Sequence, residues 1–393
     1  MHTAGIICEC NPFHGGHEYL IRRAREAGAD CVVAVMSGSF VQRGEPASSD
    51  AYLRARAVLL GGADLVLELP FPYSAAPAEF FATAGVEILS SLGVHELWFG
   101  SECGDVTLLS RLADLSESPE FQEMYAKTVT ESCGTAEAYL DCLARFVEQP
   151  ITLSSNDLLG IAYLRAIAKK GSKMHPVTVK REGSAYLDTQ LGSGYPSATA
   201  LRKRWREDGV ASILSYLPTA VRAVYADCPM PKDLTHAERL VLGHFRLTPI
   251  EELESIAELS GGLGARLKKA AGESATLSEM LARAATKKYT NARLMRGIIF
   301  ALTGIKDADL RAKPVYSHLL AANDKGCAFL KQNRKNDGFT AVTRRTDLPS
   351  TKETEKQAQL EERAQQLYAL CAPNATAASS LWEKTPYILK KFE

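Results

Sequence analysis

The sequence lacks the features that would place the chain in a membrane or in an oxidising compartment. None of its apolar runs reaches the roughly 18 uncharged residues that a membrane-spanning helix needs. It opens with a strand-like pattern and without a charged segment before a long apolar core, so we expect no signal peptide. The nine cysteines are an odd number and include no C-x-x-C pair, which favours reduced thiols. We therefore expect a soluble protein of the cytoplasm with no membrane partner.

The chain also lacks net charge, because 46 basic residues balance 46 acidic ones, but the two signs are unevenly spread. Residues 1–205 carry 18 basic against 24 acidic residues, and the remainder carries 28 against 22. Within residues 283–345, 14 basic residues face four acidic ones. Such an excess suits a polyanion, since each neutralised phosphate releases a counterion, although a solvated surface would look the same. The candidate RNA-binding residues are Lys287, Lys288, Arg293, Arg296, Lys331, Arg334, Lys335, Arg344 and Arg345.

In the first two hundred residues, short apolar runs alternate with helical patterns, which is typical of parallel βαβ units. Strands are predicted at 4–10, 31–36, 64–69, 96–99 and 176–180, and helices at 16–27, 50–60, 77–92 and 156–169. We therefore predict an α/β fold in which a Rossmann-like domain with a parallel sheet occupies residues 1–205. In such sheets, ligands bind outside the carboxyl ends of the strands.

From about residue 206 to residue 393 the pattern predicts a mainly helical, basic region. Apolar residues recur at helical spacing among Ala, Leu, Arg and Glu. Helices are predicted at 236–245, 265–271, 277–287 and 294–302, and one charged, amphipathic helix at 351–370. Possible short strands at 314–320 and 339–342 would form a small α/β element within residues 312–345.

Two histidines, His14 and His17, lie three residues apart where the first strand meets the first helix, in the stretch N-P-F-H-G-G-H. Three residues is close to one helical turn, so both rings can face one ligand. The glycines between them allow close approach, and the helix start offers unpaired N–H groups and a partial positive charge. The histidines would then donate hydrogen bonds to phosphates. The alternatives are two ordinary surface histidines or a metal site, for which only Glu9 and Cys10 lie nearby.

A second loop that opens a helix, S-A-T-A-L-R, is the other candidate for phosphate binding. Ser197 can cap the helix, while Thr199 and Arg202 fall on its first turn, where the guanidinium is a forked donor. A simple helix cap is the alternative for this motif alone. Two such motifs flanking one βαβ domain are more specific for phosphates than either is separately.

The two motifs resemble the HxGH and SxTxxR elements of the nucleotidyltransferase superfamily, which includes class I aminoacyl-tRNA synthetases and cofactor adenylyltransferases. Further segments resemble the bacterial tRNA(Met) cytidine acetate ligase family over nearly the whole chain, most strongly in its first 205 residues. These segments are S-G-S-F-V-Q-R-G-E-P at 37–46, D-L-V-L-E-L-P-F at 64–71, F-G-S-E at 99–102, S-N-D at 155–157, K-R-E at 180–182 and K-Y-T at 288–290.

The resemblance implies that the chain activates acetate with ATP to acetyl-adenylate and passes the acetyl group to N4 of the wobble cytidine of elongator tRNA(Met). It implies Mg²⁺ with the ATP, no tightly bound organic cofactor and no resident metal. The implied catalytic residues are His14, His17, Ser197, Thr199 and Arg202. The implied ATP-binding residues are Ile6, Ile7, Cys8, Glu9, Cys10, Asn11, Pro12, Phe13, His14, Gly15, Gly16, His17, Glu18, Tyr19, Gly100, Asn156, Arg181 and Glu182.

Several assignments keep an alternative. Gly100 would let a nucleoside lie against the backbone, and Asn156 would either bind adenosine or act as a helix N-cap. The loop after the second strand would contact acetate or cytidine, or form a structural turn; its candidates are Ser37, Gly38, Gln42 and Arg43. Two other functions stay open, namely a cofactor adenylyltransferase acting on a phosphorylated small molecule and a non-catalytic RNA-binding protein. The sequence predicts no oligomeric state.

Overall fold

The computed structural model describes residues 1–129, 135–147, 152–181, 196–333, 339–378 and 380–390. The helices in these residues are α1 (Gly15–Glu26), α2 (Ala51–Leu60), α3 (Ala78–Ser91), α4 (Val106–Ser116), α5 (Pro119–Thr128), α6 (Thr135–Val147), α7 (Ser155–Lys170), α8 (Ala198–Asp208), α9 (Thr219–Tyr225), α10 (Glu238–Leu247), α11 (Ile250–Glu254), α12 (Leu263–Gly272), α13 (Leu277–Ala284), α14 (Asn291–Thr303), α15 (Asp307–Arg311), α16 (Asp324–Asn333) and α17 (Lys352–Leu370). The strands are β1 (Thr3–Cys8), β2 (Cys31–Ser37), β3 (Leu65–Leu69), β4 (Glu96–Ser101), β5 (His175–Lys180), β6 (Tyr316–Asn323), β7 (Thr340–Val342) and β8 (Tyr387–Leu389).

The first five strands form the predicted parallel sheet, in the order β5-β4-β1-β2-β3. The alternation of apolar runs and helical patterns is therefore confirmed, and each predicted bound in this part lies within two residues of the observed one. Helices α4, α5 and α6 have no counterpart in the prediction. Because helices cover both faces of the sheet, the central strands β1, β2 and β3 read as almost continuous apolar runs.

Strand β1 separates two hydrophobic cores. Ile7 belongs to a core with residues of α3, α4 and α7, and Ile6 belongs to a core with residues of α1, α2 and α9. A third core is formed by the helices from α10 through α14 together with α17. It also includes Phe40 and Phe71 from the segments that follow β2 and β3. The helical region is thus packed directly against loops at the carboxyl ends of the strands.

The strands predicted in residues 312–345 are present, but they do not form an element of their own. Strand β6 runs antiparallel to β3, with Ala322 opposite Leu65, and β7 and β8 both pair with β6. The physical reason is that β3 would otherwise be the open edge of the sheet. The predicted domain boundary at residue 205 stays a prediction, since the chain returns to the first sheet after it.

Helix α17 confirms the predicted charged helix at 351–370, but several of its polar side chains face inward. Glu361 is buried and accepts a hydrogen bond from the Tyr316 hydroxyl at 2.7 Å, and it also contacts His318 Nε2 at 3.0 Å. Gln357 and Gln365 are buried as well. No helix in the described ranges is both long and apolar enough to cross a bilayer.

Candidate functional site

A cavity of about 160 Å³ opens at the carboxyl ends of β1 and β4, between the start of α1 and the start of α7. Its lining combines an apolar side with histidine, arginine and amide groups. The described lining residues are Ile6, Ile7, Cys8, Glu9, Cys10, Asn11, His14, His17, Leu20, Gln42, Arg43, Phe81, Phe99, Gly100, Ser155, Asn156, Leu159, Tyr163, Arg181 and Ala198. An adjoining smaller pocket is also lined by Gly16, Tyr19, Val179, Lys180 and Pro196.

The two histidines are fixed by their own backbone. The N–H of Gly16 donates to Nδ1 of His14 at 3.1 Å, and the N–H of His14 donates to Nδ1 of His17 at 3.2 Å. The ring centroids lie 4.0 Å apart. Because Nδ1 accepts in both rings, each neutral imidazole carries its proton on Nε2. Both histidines can therefore donate from Nε2 to a ligand.

Both imidazoles are neutral at physiological pH. Burial lowers the pKa of His17 to about 3, and the positive charge of Arg181 adds to the effect. Burial also lowers the pKa of His14 well below its ordinary value, with further lowering by His17, Arg181 and Arg202. The site thus offers two neutral donors next to permanent guanidinium charges. This is an arrangement that stabilises developing negative charge without a proton transfer.

The loop between β1 and α1 is anchored on both sides. Asn11 Oδ1 accepts hydrogen bonds from the N–H and hydroxyl of Ser48 at 2.7 and 2.6 Å, and the N–H of Phe13 donates to the Tyr225 hydroxyl at 3.1 Å. Cys10 has a φ of 46°, an unusual value for a residue other than glycine. Some implied ATP-binding residues are not among those that line the two pockets, namely Pro12, Phe13, Gly15 and Glu18.

The second predicted phosphate motif reaches the same end of the sheet. Ser197 Oγ accepts from the N–H of Ala200 at 3.1 Å, so the capping function is confirmed. The Arg202 guanidinium donates to the Asn11 carbonyl at 2.9 Å and pairs with Glu45 at 3.3 Å. Arg202 Nη2 also lies 3.5 Å from Thr199 Oγ1, and its buried Nε has no partner in the described structure. The structure therefore brings Arg202 directly behind the histidine loop, while its contact with phosphates stays a prediction.

At the β4 end of the cavity, Glu102 organises two predicted ligands. Its Oε1 accepts from the Asn156 amide at 2.7 Å and lies 3.5 Å from Arg181 Nε. The alternative role of Asn156 as an N-cap is wrong, because Ser154 caps α7. A Cβ on Gly100 would lie 3.1 Å from Cγ of Arg181, so the arginine stem covers this glycine. Glu182 lies outside the described residues.

The loop after β2 contributes Gln42 and Arg43 to the cavity, whereas Ser37 and Gly38 do not line it. The N–H of Gln42 donates to Glu9 Oε1 at 3.0 Å, which ties the loop to the end of β1. A Cβ on Gly38 would clash with the Glu68 carboxylate, so a larger residue there would have to displace this buried side chain. Gln42 and Arg43 are therefore the two candidates that face the site.

This loop is held from behind by distant residues. The buried Arg54 donates to the carbonyls of Glu9 and Ser49, at 2.7 and 3.0 Å, and to that of Gly38. From α17, Gln365 donates to Ser39 Oγ at 2.5 Å and the Tyr368 hydroxyl donates to the Ala47 carbonyl at 3.0 Å. The shape of this side of the cavity therefore depends on the C-terminal helix.

The structure separates the predicted RNA-binding residues into two groups. A Cβ on Gly44 would lie 2.4 Å from the backbone nitrogen of Arg296, so α14 abuts the loop after β2. The first group lies here, with Lys287 exposed and with Lys288, Arg293 and Arg296 partly buried. Arg296 pairs with Glu258 at 2.6 Å, which gives it a structural role.

The second group lies elsewhere in the fold. Arg344 and Arg345 are exposed after β7, an edge strand that β2, β3 and β6 separate from β1, and Lys331 is exposed on α16. Arg334 and Lys335 lie outside the described residues. Only the first group is therefore placed beside the cavity.

Sequence reasoning missed the apolar side of the cavity and two acidic residues. Phe81, Leu159 and Tyr163 carry no motif that distinguishes them from core residues, and Phe99 belongs to the F-G-S-E segment but was assigned no role in the site. In contrast, Glu45 and Glu102 stand inside segments that were already singled out, but their partners Arg202 and Arg181 are distant in sequence. No signal in the sequence therefore pointed to these pairs.

The fold and the site define a nucleotidyltransferase with the HxGH signature. Consistent with this class, the family described as HIGH Nucleotidyl Transferase matches residues 1–381. The tRNA(Met) cytidine acetate ligase of Syntrophotalea carbinolica is 36% identical over 87% of this chain and 85% of that protein. The same-named protein of Acetivibrio thermocellus is 32% identical over 99% and 100%, respectively. The chain belongs to the tRNA(Met) cytidine acetate ligase family, as its motifs predicted.

Solved structures agree with this assignment over the full length. The crystal structure of apo Thermotoga maritima TmcAL matches with a TM-score of 0.91 and 28% identity, covering 100% of both chains. The crystal structure of the same protein bound with alpha-thio ATP matches with a TM-score of 0.88, also over 100% of both chains. The neighbour thus binds an ATP analogue on the same fold.

Proposed function

We propose that the protein is an ATP-dependent ligase that activates acetate to acetyl-AMP and transfers the acetyl group to N4 of the wobble cytidine of elongator tRNA(Met). The observation that carries this proposal is the pair of neutral histidines, His14 and His17, whose Nε2 donors belong to one cavity with Arg181. The names of the relatives supply the substrates. We expect the enzyme to act in the cytoplasm.

In the first half-reaction, acetate attacks the α-phosphorus of ATP and pyrophosphate leaves. No protein nucleophile is required, because acetate itself forms the new bond. The neutral histidines and Arg202 would stabilise the charge that builds up on the leaving pyrophosphate, which is catalysis by positioning and electrostatics. Mg²⁺ would arrive with ATP as part of the substrate, held mainly by phosphate oxygens. The described residues contain no group of three or more His, Cys, Asp or Glu suited to a metal of their own.

In the second half-reaction, the anticodon loop must reach the same cavity. Exposed Lys287 and partly buried Lys288 lie on the segment leading into α14, and Arg293 lies in the first turn of this helix, which abuts the loop after β2. Positive charge at this place would attract the RNA backbone. We expect these residues to contribute more to tRNA binding than Arg344 and Arg345, which follow the edge strand β7.

The test is ATP–pyrophosphate exchange over a panel of short carboxylates, with and without tRNA, followed by nucleoside mass spectrometry of the tRNA. We expect acetate to stimulate exchange and N4-acetylcytidine to form. Stimulation by a phosphorylated metabolite in place of acetate would favour a cofactor adenylyltransferase. Absence of acetate-dependent exchange in the wild-type protein, with tRNA binding retained, would favour a non-catalytic RNA-binding protein.

A further inference from the structure

Glu9 is the one carboxylate among the described residues that line the cavity. It follows β1 directly and is partly buried. Its Oε1 accepts the backbone N–H of Gln42 at 3.0 Å, and no described residue donates to its other oxygen. Among the described residues, the side chain is thus held by one oxygen, and the other oxygen is available to a ligand.

The position of Glu9 lies between two parts of the site. On one side is the histidine pair at the start of α1, and on the other are Gln42 and Arg43 of the loop after β2. In the proposed reaction the nucleoside lies toward Gly100 on β4 and the phosphates lie at the histidines. An acetyl group that extends from the α-phosphate toward β2 would lie on the side where Glu9 meets the loop.

Transfer of the acetyl group to an amine releases a proton, and most groups in the lining are poor acceptors for it. The depressed pKa values of both histidines make them weak bases. Burial raises the pKa of the Cys10 thiol, which therefore keeps its own proton. Burial also raises the pKa of Glu9, and this makes its carboxylate a better base than an ordinary one.

The charges around Glu9 come from three elements. Arg202 on α8 and Arg43 in the loop after β2 lower the pKa of Glu9, and Glu45 in that loop raises it, while burial outweighs them. The pKa of Tyr163 on α7 is raised mainly by burial, and the charge of Glu9 raises it further. The carboxylate therefore lies close to the guanidinium groups of Arg202 and Arg43.

We propose that the Glu9 carboxylate is the general base for the second half-reaction, taking a proton from the N4 amino group of cytidine. This inference rests on the proposed function. A bond forms between N4 and the acetyl carbonyl carbon, and the bond from that carbon to the phosphate oxygen breaks. AMP leaves with the electron pair, and one N4 proton passes to Glu9 and then to solvent. Loss of that proton makes an otherwise weakly nucleophilic amine reactive.

The experiment measures the two half-reactions separately in wild type and in Glu9→Gln. Gln keeps an oxygen for the N–H of Gln42 and loses only the ability to take a proton. We expect acetate-dependent ATP–pyrophosphate exchange within about threefold of wild type, and single-turnover transfer to an unmodified elongator tRNA(Met) transcript reduced by about 10²-fold or more. Glu79→Gln, at an exposed carboxylate on α3, is the matched control and should leave both rates unchanged.

Two further readouts separate a base from a structural group. Hydroxylamine attacks acetyl-AMP without help, so it should yield acetohydroxamate equally fast with wild type and Glu9→Gln. The wild-type transfer rate should fall as Glu9 becomes protonated at low pH, and the variant should lack this decline. Glu9→Asp, which retains a carboxylate, should transfer faster than Glu9→Gln.

Three results would overturn the assignment of Glu9. These are transfer at the wild-type rate by Glu9→Gln, equal losses of exchange and transfer, and an identical pH dependence in wild type and variant. A wild-type protein without acetate-dependent exchange would contradict the proposed function itself. Exchange by the wild-type protein is therefore measured before any variant is compared.

Discussion

Two walls face each other across the cavity, and they are built in different ways. The histidine wall (residues 11–17) fixes its rings through hydrogen bonds between residues two or three positions apart. The loop wall (residues 38–47) depends on the nearby Arg54. It also depends on Gln365 and Tyr368, two residues that are more than 300 positions away in sequence. The first wall can therefore keep its donor geometry through local contacts, whereas the second exists only when α17 is in place.

The walls also differ in electrostatics. The histidine wall presents neutral donors, because burial keeps both imidazoles unprotonated. Behind the loop wall lie buried ionisable groups, namely Arg54, Glu68 and the His318–Glu361 pair. Buried charges are costly unless each keeps its partners. We conclude that the loop wall is the part of the site where folding and function are most tightly linked.

Replacing Arg54 with Ala should have the largest effect on stability. The change removes a fully buried guanidinium and leaves the carbonyls of Glu9, Ser49 and Gly38 without their donor. We expect the free energy of unfolding to fall by about 3–5 kcal/mol, measured by urea denaturation. Arg56→Ala is the matched control in the same helix, since Arg56 is exposed and stacks only on Tyr387, at 5.0 Å. Its cost should stay below about 1 kcal/mol. Equal losses in the two variants would show that the loop wall does not depend on the buried charge.

Replacing His17 with Ala should affect catalysis far more than stability. It removes one neutral donor from the cavity, and we expect the rate of acetyl-AMP formation to fall by about 10²–10³-fold. The measurement is the kcat of ATP–pyrophosphate exchange, with thermal unfolding to check the fold. Arg23→Ala, at an exposed position of α1, should leave exchange unchanged. A His17→Ala rate close to wild type would remove the histidine wall from the reaction.

The contrast between the walls explains what could be predicted from the sequence. The histidine wall could be predicted because its strand, turn, glycines and helix start follow one another in the sequence. The SxTxxR loop could be predicted for the same reason, since it is a local capping motif. For the loop wall, the sequence predicted either a contact with acetate or cytidine or a structural turn, and it did not decide between them. Support for this wall comes from Gln365 and Tyr368. Their helix was predicted as charged and amphipathic, and that pattern does not tell what its inner face contacts.

The position of β6 escaped prediction for a related reason. Periodicity located a strand near residues 314–320, but nothing local tells that Ala322 pairs with Leu65 across more than 250 residues. Likewise, Glu102 is an ordinary acidic residue until Asn156 and Arg181 are brought beside it. Spacing predicts elements, whereas pairing between distant elements needs the fold.

A comparison of two glycines tests the loop wall through a smaller change in stability. Gly44 in the loop wall has a φ of 75°, and a Cβ there would lie 2.4 Å from the Arg296 backbone; Gly28 after α1 has a φ of 99° with nothing within 4 Å. Both changes to Ala incur backbone strain, but only Gly44→Ala adds a clash. We expect Gly44→Ala to reduce the free energy of unfolding by about 1–3 kcal/mol more than Gly28→Ala. Equal free energies of unfolding for the two variants in urea denaturation would show that the loop can shift away from α14 at no cost.

The two walls should also respond to pH in opposite directions. The folded-state pKa of His17 is about 3, below its ordinary 6.5, so the unfolded chain binds the proton first and stability falls as pH drops below about 6.5. Burial raises the pKa of Glu68 from 4.5 to about 7, against the effect of His318. Its contribution is complete below pH 4.5 and is lost as pH rises through about 7. Urea denaturation from pH 4.5 to 7.5 should therefore show that His17→Gln weakens the loss of stability on acidification, while Glu68→Gln weakens the loss on the way to neutral pH. The same change of slope in both variants would mean that the two walls do not titrate separately.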